Sequence, residues 1–218
     1  MTSPEPAGAQ ELVISADGRR LGGHLAIPAD APGVVLFAHG SGSSRRSPRN
    51  RFVARQLQQA GLATLLMDLL EEDEAEDRDK VFDVELLAAR LAAASRWLAA
   101  DPRTRALALG LFGASTGAAA ALIAAAEDPA RVSAVVSRGG RPDLAAAWLS
   151  RVRAPTLLIV GERDVPVRDW NESALRRIAA PKELAIVPRA THLFEEPGTL
   201  EEAAGHACRW FARYLACG

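Results

Sequence analysis

The sequence predicts a single α/β domain with a doubly wound, mostly parallel sheet and an N-terminal antiparallel hairpin. Short continuous apolar runs, typical of strands covered on both faces, alternate with stretches whose apolar residues recur every three or four positions. This alternation indicates βαβ crossovers. The 218 residues suffice for one such domain without metals or disulfides. We expect residues 1–10 to form a disordered tail and residues 11–218 to form the domain.

The strands come in two groups. Strand-like runs at 11–14 and 21–27 flank the turn dipeptide Asp17-Gly18, which predicts the hairpin at one edge of the sheet. Continuous apolar runs then predict six parallel strands, at residues 34–38, 63–67, 106–112, 134–137, 156–160 and 184–187.

Six segments between the strands have helical spacing, and several end at Gly or Asp-Pro signals. They are residues 48–59, 81–99, 116–127, 143–149, 168–178 and 200–215. The helix at 143–149 is the only one between its two flanking strands, so we expect no large lid domain.

Composition excludes several classes of protein. With 49% hydrophobic residues, 24% charged residues and a formal net charge of -1, the chain is typical of a globular protein and not of a basic nucleic-acid binder. The acidic run at 71–79 is interpreted as a solvated loop.

The location is predicted from three observations. Only Cys208 and Cys217 occur, which favours a reducing cytoplasm over a disulfide framework. Residues 1–10 lack the basic and apolar regions of a signal peptide. The alanine-rich stretch at 118–126 is far shorter than the roughly 20 residues that span a bilayer, so no membrane partner is expected.

The most informative motif is Gly113-Ala114-Ser115-Thr116-Gly117, which lies between an apolar strand and an alanine-rich helix. A serine on such a turn adopts a strained backbone and exposes its hydroxyl, while the glycines let strand and helix pass closely. This context predicts a nucleophile elbow at Ser115.

A serine nucleophile needs a base and an acid that orients the base. Of four histidines, only His192 follows the last strand, at the same sheet edge as Ser115. Asp164 follows the strand at 156–160 and is the preferred acid. Its rivals are Glu162, which leaves the strand early, and Asp143, which is explained as a helix cap.

An oxyanion needs two N–H donors. We expect them from Thr116, after the nucleophile, and from Ser41 in the loop His39-Gly40-Ser41-Gly42 after the first parallel strand. That loop resembles a phosphate cradle, but it lacks the third glycine of a dinucleotide fingerprint and the Gly-Lys-Ser/Thr of a P-loop. His39 is interpreted as structural.

Together these motifs resemble the α/β-hydrolase superfamily, in the order Ser115, Asp164, His192. The compact layout is similar to its dienelactone hydrolase-like branch, although dienelactone hydrolase proper carries cysteine where this chain has Ser115. The resemblance implies acyl transfer to water with no cofactor and no metal, in which Ser115 attacks, His192 carries the proton and Asp164 fixes its tautomer.

Two hypotheses on function remain open. One is a serine hydrolase acting on a small carboxylic ester, thioester or lactone, with a small acyl molecule as its partner; the other is a non-catalytic protein of the same fold that binds a ligand or partner. Arg138 and the arginines at 45, 46, 49 and 51 are candidates to bind an anionic substrate group, or else form ordinary surface ion pairs. Gly40 and Gly42 are further substrate-binding candidates.

Overall fold

The computed structural model describes residues 9–216, which form an eight-stranded sheet with helices on both faces. The predicted tail lies, for residues 1–8, outside the described residues, as does Cys217. The strands are β1 (Gln10–Ala16), β2 (Arg19–Ala26), β3 (Gly33–Ala38), β4 (Ala63–Met67), β5 (Ala108–Ala114), β6 (Val132–Arg138), β7 (Thr156–Gly161) and β8 (Lys182–Val187).

Within residues 9–216, seven α-helices and two 3-10 helices lie between the strands or after the last one. The α-helices are α1 (Pro48–Gln59), α2 (Glu72–Ala75), α3 (Arg78–Phe82), α4 (Val84–Ala100), α5 (Thr116–Glu127), α6 (Val165–Arg177) and α7 (Thr199–Leu215). The 3-10 helices, Pro142–Ala145 and Leu149–Arg151, fill the connection between β6 and β7, where the sequence predicted no large lid domain.

The strand order is β1-β2-β4-β3-β5-β6-β7-β8. β1 pairs antiparallel with β2, and β2 pairs antiparallel with β4, while every other pair is parallel. This confirms the predicted fold class and hairpin. Because parallel strands share one carboxyl edge, the loops after β3, β5, β6, β7 and β8 meet there.

Two apolar clusters cover the two faces of the sheet. Leu36 of β3 packs with residues of α4 and α5, whereas its neighbour Phe37 packs with residues of α1 and α7. Successive strand residues point to opposite faces, so a strand covered on both sides must be apolar at every position. This is why the parallel strands appear in the sequence as unbroken apolar runs.

Three predicted elements differ from the structure. The helix expected at 81–99 is divided at Asp83, whose carboxylate accepts a hydrogen bond from the Leu86 amide at 2.9 Å and so caps a new helix. The helix expected at 143–149 consists of the two 3-10 turns. β8 is an edge strand, and Ile186 is 43% exposed instead of covered on both faces.

The interpretation of residues 71–79 as a solvated loop is wrong at Glu74. This residue belongs to α2 and is 3% exposed. Its carboxylate pairs with buried Arg90 at 3.3 Å and with Arg19 at 3.5 Å. The cations come from β2 and α4, so the local acidic composition gave no sign of them.

Candidate active site

Ser115 occupies a strained turn between β5 and α5, with φ 52° and ψ -122°. A Cβ at Gly113 would overlap the backbone of Ala118, and one at Gly117 would overlap the carbonyls of Ala38 and His39. Both glycines are therefore required by close backbone approach, and the neighbouring elements hold Ser115 in a conformation that costs about 1–3 kcal/mol.

Asp164 and His192 are in direct contact. Asp164 follows β7, His192 lies in the loop after β8, and the His192 Nδ1 is 2.6 Å from the Asp164 Oδ2. With Nδ1 donating to a carboxylate, Nε2 is left as the acceptor nitrogen, which is the arrangement a general base needs. His192 and Ser115 line the same cavity.

The two rival acids have other partners. The Glu162 carboxylate accepts a hydrogen bond from the Arg189 amide at 2.8 Å. Asp143 pairs with Arg141 at 2.7 Å, and that guanidinium lies 4.2 Å from the centre of the Trp170 ring. Among the described residues, neither carboxylate has a hydrogen bond to His192, whose Nδ1 contacts Asp164 instead.

Glu196 holds the loop that carries His192. Its carboxylate accepts hydrogen bonds from the Thr191 hydroxyl at 2.7 Å and from the Thr191 amide at 3.1 Å, and these bonds lower the pKa of Glu196. This role of Glu196 was not predictable, because the dipeptide Glu195-Glu196 has the composition of any acidic surface loop.

The glycine-rich loop after β3 packs directly on the elbow. A Cβ at Gly40 would lie 3.0 Å from the Cβ of Ser115. The Ser41 amide donates to the Thr116 hydroxyl at 2.9 Å. Thr116 is the first residue of α5, so its own amide is one of those that a helix leaves without an intrahelical partner. The Ser41 amide thus contacts the side chain of the residue that carries the other predicted donor.

His39 braces this loop in its neutral form. The Leu69 amide can only donate, so the His39 Nε2 accepts from it at 3.0 Å, and Nδ1 must carry the proton that it donates to the Gly40 carbonyl at 3.0 Å. Burial lowers the pKa of His39. Its interpretation as a structural residue agrees with these contacts.

We expect His39 to make stability fall in acid. Because its folded pKa lies below the ordinary 6.5, the stabilisation is complete above that pH and is lost as the pH falls toward the folded value. The slope for one such group approaches about 1.4 kcal/mol per pH unit. Urea unfolding between pH 7.5 and 5 should show a smaller slope for His39→Asn than for the wild type.

His206→Asn is the matched control, because partial burial also lowers the pKa of His206. We expect it to flatten the pH profile less than His39→Asn does. Equal slopes for the wild type and His39→Asn would contradict the proposed brace.

Arg138 is a buried cation at the end of β6. It is 7% exposed, and its Nη2 donates to the Asn50 Oδ1 at 3.3 Å. Among residues 9–216, Nη1 has no hydrogen-bond partner and no carboxylate pairs with the guanidinium. Burial, and secondarily the charge of Arg49, lowers the pKa of Arg138 to about 10. The guanidinium lies 5.8 Å from the ring centres of Phe112 and Phe194.

Ser115 opens into a cavity of about 230 Å³, which we call the catalytic cavity. Its lining includes His192, Arg138, Asn50 and Arg49. It also includes Gly40, Ser41 and Ser43, which it shares with a second cavity of about 420 Å³. Gly42 lines the second cavity and does not line the catalytic cavity.

The arginines considered for substrate binding separate in space. Arg49 lines the catalytic cavity and pairs with Glu195 at 3.2 Å. Arg45 is paired with Asp68, and both Arg45 and Arg46 line the second cavity. Arg51 lines a small pocket beside β2 instead.

Asn50 was missed by sequence reasoning, although a signal exists. It shares the buried face of α1 with Val53, Ala54 and Leu57. A polar residue at a core-facing position of an amphipathic helix needs a partner, and here that partner is Arg138.

The described residues contain neither a side-chain cluster suited to a metal ion nor a helix suited to a membrane. No group of three or more His, Cys, Asp or Glu side chains within residues 9–216 is arranged to hold a metal ion. Over the same residues, no helix combines the length and the apolar character required to cross a membrane.

Comparison with known proteins places this chain in a family. The model of the dienelactone hydrolase family matches residues 21–216. The crystal structure of dienelactone hydrolase from Anabaena variabilis superposes with a TM-score of 0.92 at 57% identity, covering 95% of this chain and 99% of that one. XC6422 from Xanthomonas campestris, a serine hydrolase without a lid, shares the fold with a TM-score of 0.77 at 20% identity, over 98% of both chains.

A curated relative is longer than this chain. The Mycobacterium tuberculosis (H37Rv) protein named "Putative phosphoribosyl transferase Rv0571c" is 55% identical over 213 residues, which are 98% of this chain and 48% of that protein. This chain therefore spans about half the length of that relative.

Proposed function

Because the chain belongs to the dienelactone hydrolase family and is a hydrolase, we propose that it cleaves a small carboxylic ester, thioester or lactone through an acyl-enzyme on Ser115. The observation that carries the proposal is the 2.6 Å contact between Asp164 and His192 beside a strained serine in the same cavity. A site that only binds a ligand has no need of a serine held at this energetic cost.

The proposed reaction has two halves. The Ser115 hydroxyl attacks the substrate carbonyl and gives its proton to the His192 Nε2, while Asp164 stabilises the imidazolium that forms. His192 then protonates the leaving group. In the second half, His192 takes a proton from water, the hydroxide attacks the acyl carbon, and the Ser115 hydroxyl is restored.

The oxyanion of each tetrahedral intermediate is proposed to accept from the Thr116 and Ser41 amides. The Ser41 amide already donates to the Thr116 hydroxyl, so the oxyanion would take over or share that hydrogen. Loss of one such donor costs about 3 kcal/mol in a typical oxyanion hole.

Substrate recognition is proposed to involve Arg138, with Gly40 beside the reacting carbonyl and Gly42 toward the second cavity. A buried cation without a carboxylate partner is costly to the fold, so an anionic substrate group, carboxylate or phosphate, would supply the missing countercharge. Asn50 holds one side of the guanidinium in place.

We expect Arg138→Met to lose about 10- to 100-fold in kcat/KM on an ester that carries a carboxylate, since charge-assisted hydrogen bonds contribute about 1.5–3 kcal/mol. Activity on the matching neutral ester should be unchanged, and Tm should hold or rise, because the variant removes an unpaired buried charge. Arg96→Met is the control, because Arg96 is exposed and lines neither cavity. Equal losses on both esters would contradict this role.

We assign the phosphoribosyl transfer in the relative's name to the part of that protein beyond the matched half. The matched half of the relative corresponds to this chain, and this chain matches the dienelactone hydrolase family. For this chain we propose a small acyl molecule as substrate and, on its low cysteine count, a cytoplasmic location.

Fluorophosphonate labelling tests the proposal. The wild type should form one adduct on the peptide containing Ser115, and Ser115→Ala should form none. Ser43→Ala, which changes another serine of the same cavity, should label like the wild type. A wild type that resists labelling would favour the non-catalytic alternative.

A further inference from the structure

We propose that the second cavity binds the acyl chain of the substrate, and that the enzyme prefers esters of apolar acyl groups longer than acetyl. The proposal rests on the proposed function and adds the acyl specificity of the same site. It concerns the cavity of about 420 Å³ that shares loop residues with the catalytic cavity but is not lined by His192, and we call it the acyl cavity.

The acyl cavity adjoins the catalytic cavity at the oxyanion loop, residues 40–43. Gly40, Ser41 and Ser43 line both cavities. A carbonyl held with its carbon at Ser115 and its oxygen at the Ser41 amide therefore has one substituent directed along this loop. Gly42, at φ 66° with nothing within 4 Å of a Cβ position, leaves that path open.

The lining beyond the loop favours an apolar chain. Leu70, Val81 and Leu87 form its inner wall, and Ala75 of α2 lies at its edge. The charged residues that line the same cavity are Arg45, Arg46, Asp68 and Glu72, two of each sign, and Arg45 and Asp68 neutralise each other as an ion pair. A volume of about 420 Å³ lies within the roughly 300–1,000 Å³ typical of small-molecule sites.

The position of His192 decides which half of the ester enters this cavity. His192 must reach the leaving-group oxygen to protonate it, and it lines the catalytic cavity together with Arg138. The leaving group is thereby held in the catalytic cavity, which His192 lines. The remaining substituent of the carbonyl, the acyl chain, is the one directed into the acyl cavity.

A chain-length series tests the proposal. With p-nitrophenyl esters from acetyl to octanoyl, wild-type kcat/KM should rise by about threefold to fourfold per added CH2 until the cavity is filled. Ala75→Trp should lower the ratio of kcat/KM for octanoyl ester to kcat/KM for acetyl ester by at least tenfold. Ala75 is exposed on a short helix, so the fold should tolerate tryptophan there.

Ala99→Trp is the control, because Ala99 is also an exposed helical alanine and lines neither cavity. It should keep the wild-type dependence on chain length. The proposal is overturned if Ala75→Trp also keeps the wild-type dependence of kcat/KM on acyl chain length. It is also overturned if Ala75→Trp instead changes the dependence on alcohol length in a series of alkyl acetates. If the wild type hydrolyses acetyl ester and is labelled at Ser115, the proposed function stands and only the proposal for the acyl cavity fails.

Discussion

Ser115→Ala is expected to lower kcat for ester hydrolysis by about 10⁶-fold, because loss of the nucleophile in a serine hydrolase removes nearly all that the triad contributes. The oxyanion donors and the cavity would remain. Measurement with the best ester of the acyl series gives the widest range for detecting this loss.

Stability provides the control for this variant. Alanine has a Cβ and meets the same backbone strain as serine at φ 52°, so the free energy of unfolding in urea should change by less than about 0.5 kcal/mol. A folded Ser115→Ala enzyme that keeps more than one-tenth of wild-type kcat would contradict a nucleophilic role for Ser115.

Asp164→Asn is expected to lower kcat by about 10⁴-fold. The asparagine amide can donate to the His192 Nδ1, which then favours the tautomer with its proton on Nε2. In that tautomer, Nε2 cannot take the proton of Ser115.

The two rival acids supply matched controls. Glu162→Gln and Asp143→Asn make the same chemical change at carboxylates that bind the Arg189 amide and the Arg141 guanidinium. Each should retain kcat within about threefold of the wild type. A larger loss in either variant than in Asp164→Asn would assign the acid of the triad to that residue instead.

The sequence predicted most of the sheet because each parallel strand is apolar on both faces. α1 and α5 were predicted with the bounds that the structure shows, since apolar spacing marks their faces and the Ser115 elbow marks the start of α5. β8 was misread as fully covered, because an apolar run does not reveal that a strand lies at an edge.

The candidate site was predictable to the extent that topology determines it. Ser115, Asp164 and His192 each follow a strand, and strands of one direction bring such residues to one edge. The lack of a countercharge at Arg138 was not predictable, since it depends on which side chains from distant elements reach the guanidinium. The burial of Glu74 with Arg90 escaped prediction for the same reason.

The most direct test of the account is the capture of the acyl-enzyme during turnover. Acid quenching within milliseconds of mixing with an excess of p-nitrophenyl ester, followed by peptide mass spectrometry, should show the mass of the acyl group on the peptide that contains Ser115. The adduct should accumulate in the wild type and be absent from Ser115→Ala. Turnover without any acyl adduct on Ser115, or with the acyl group on another residue, would contradict the proposed mechanism.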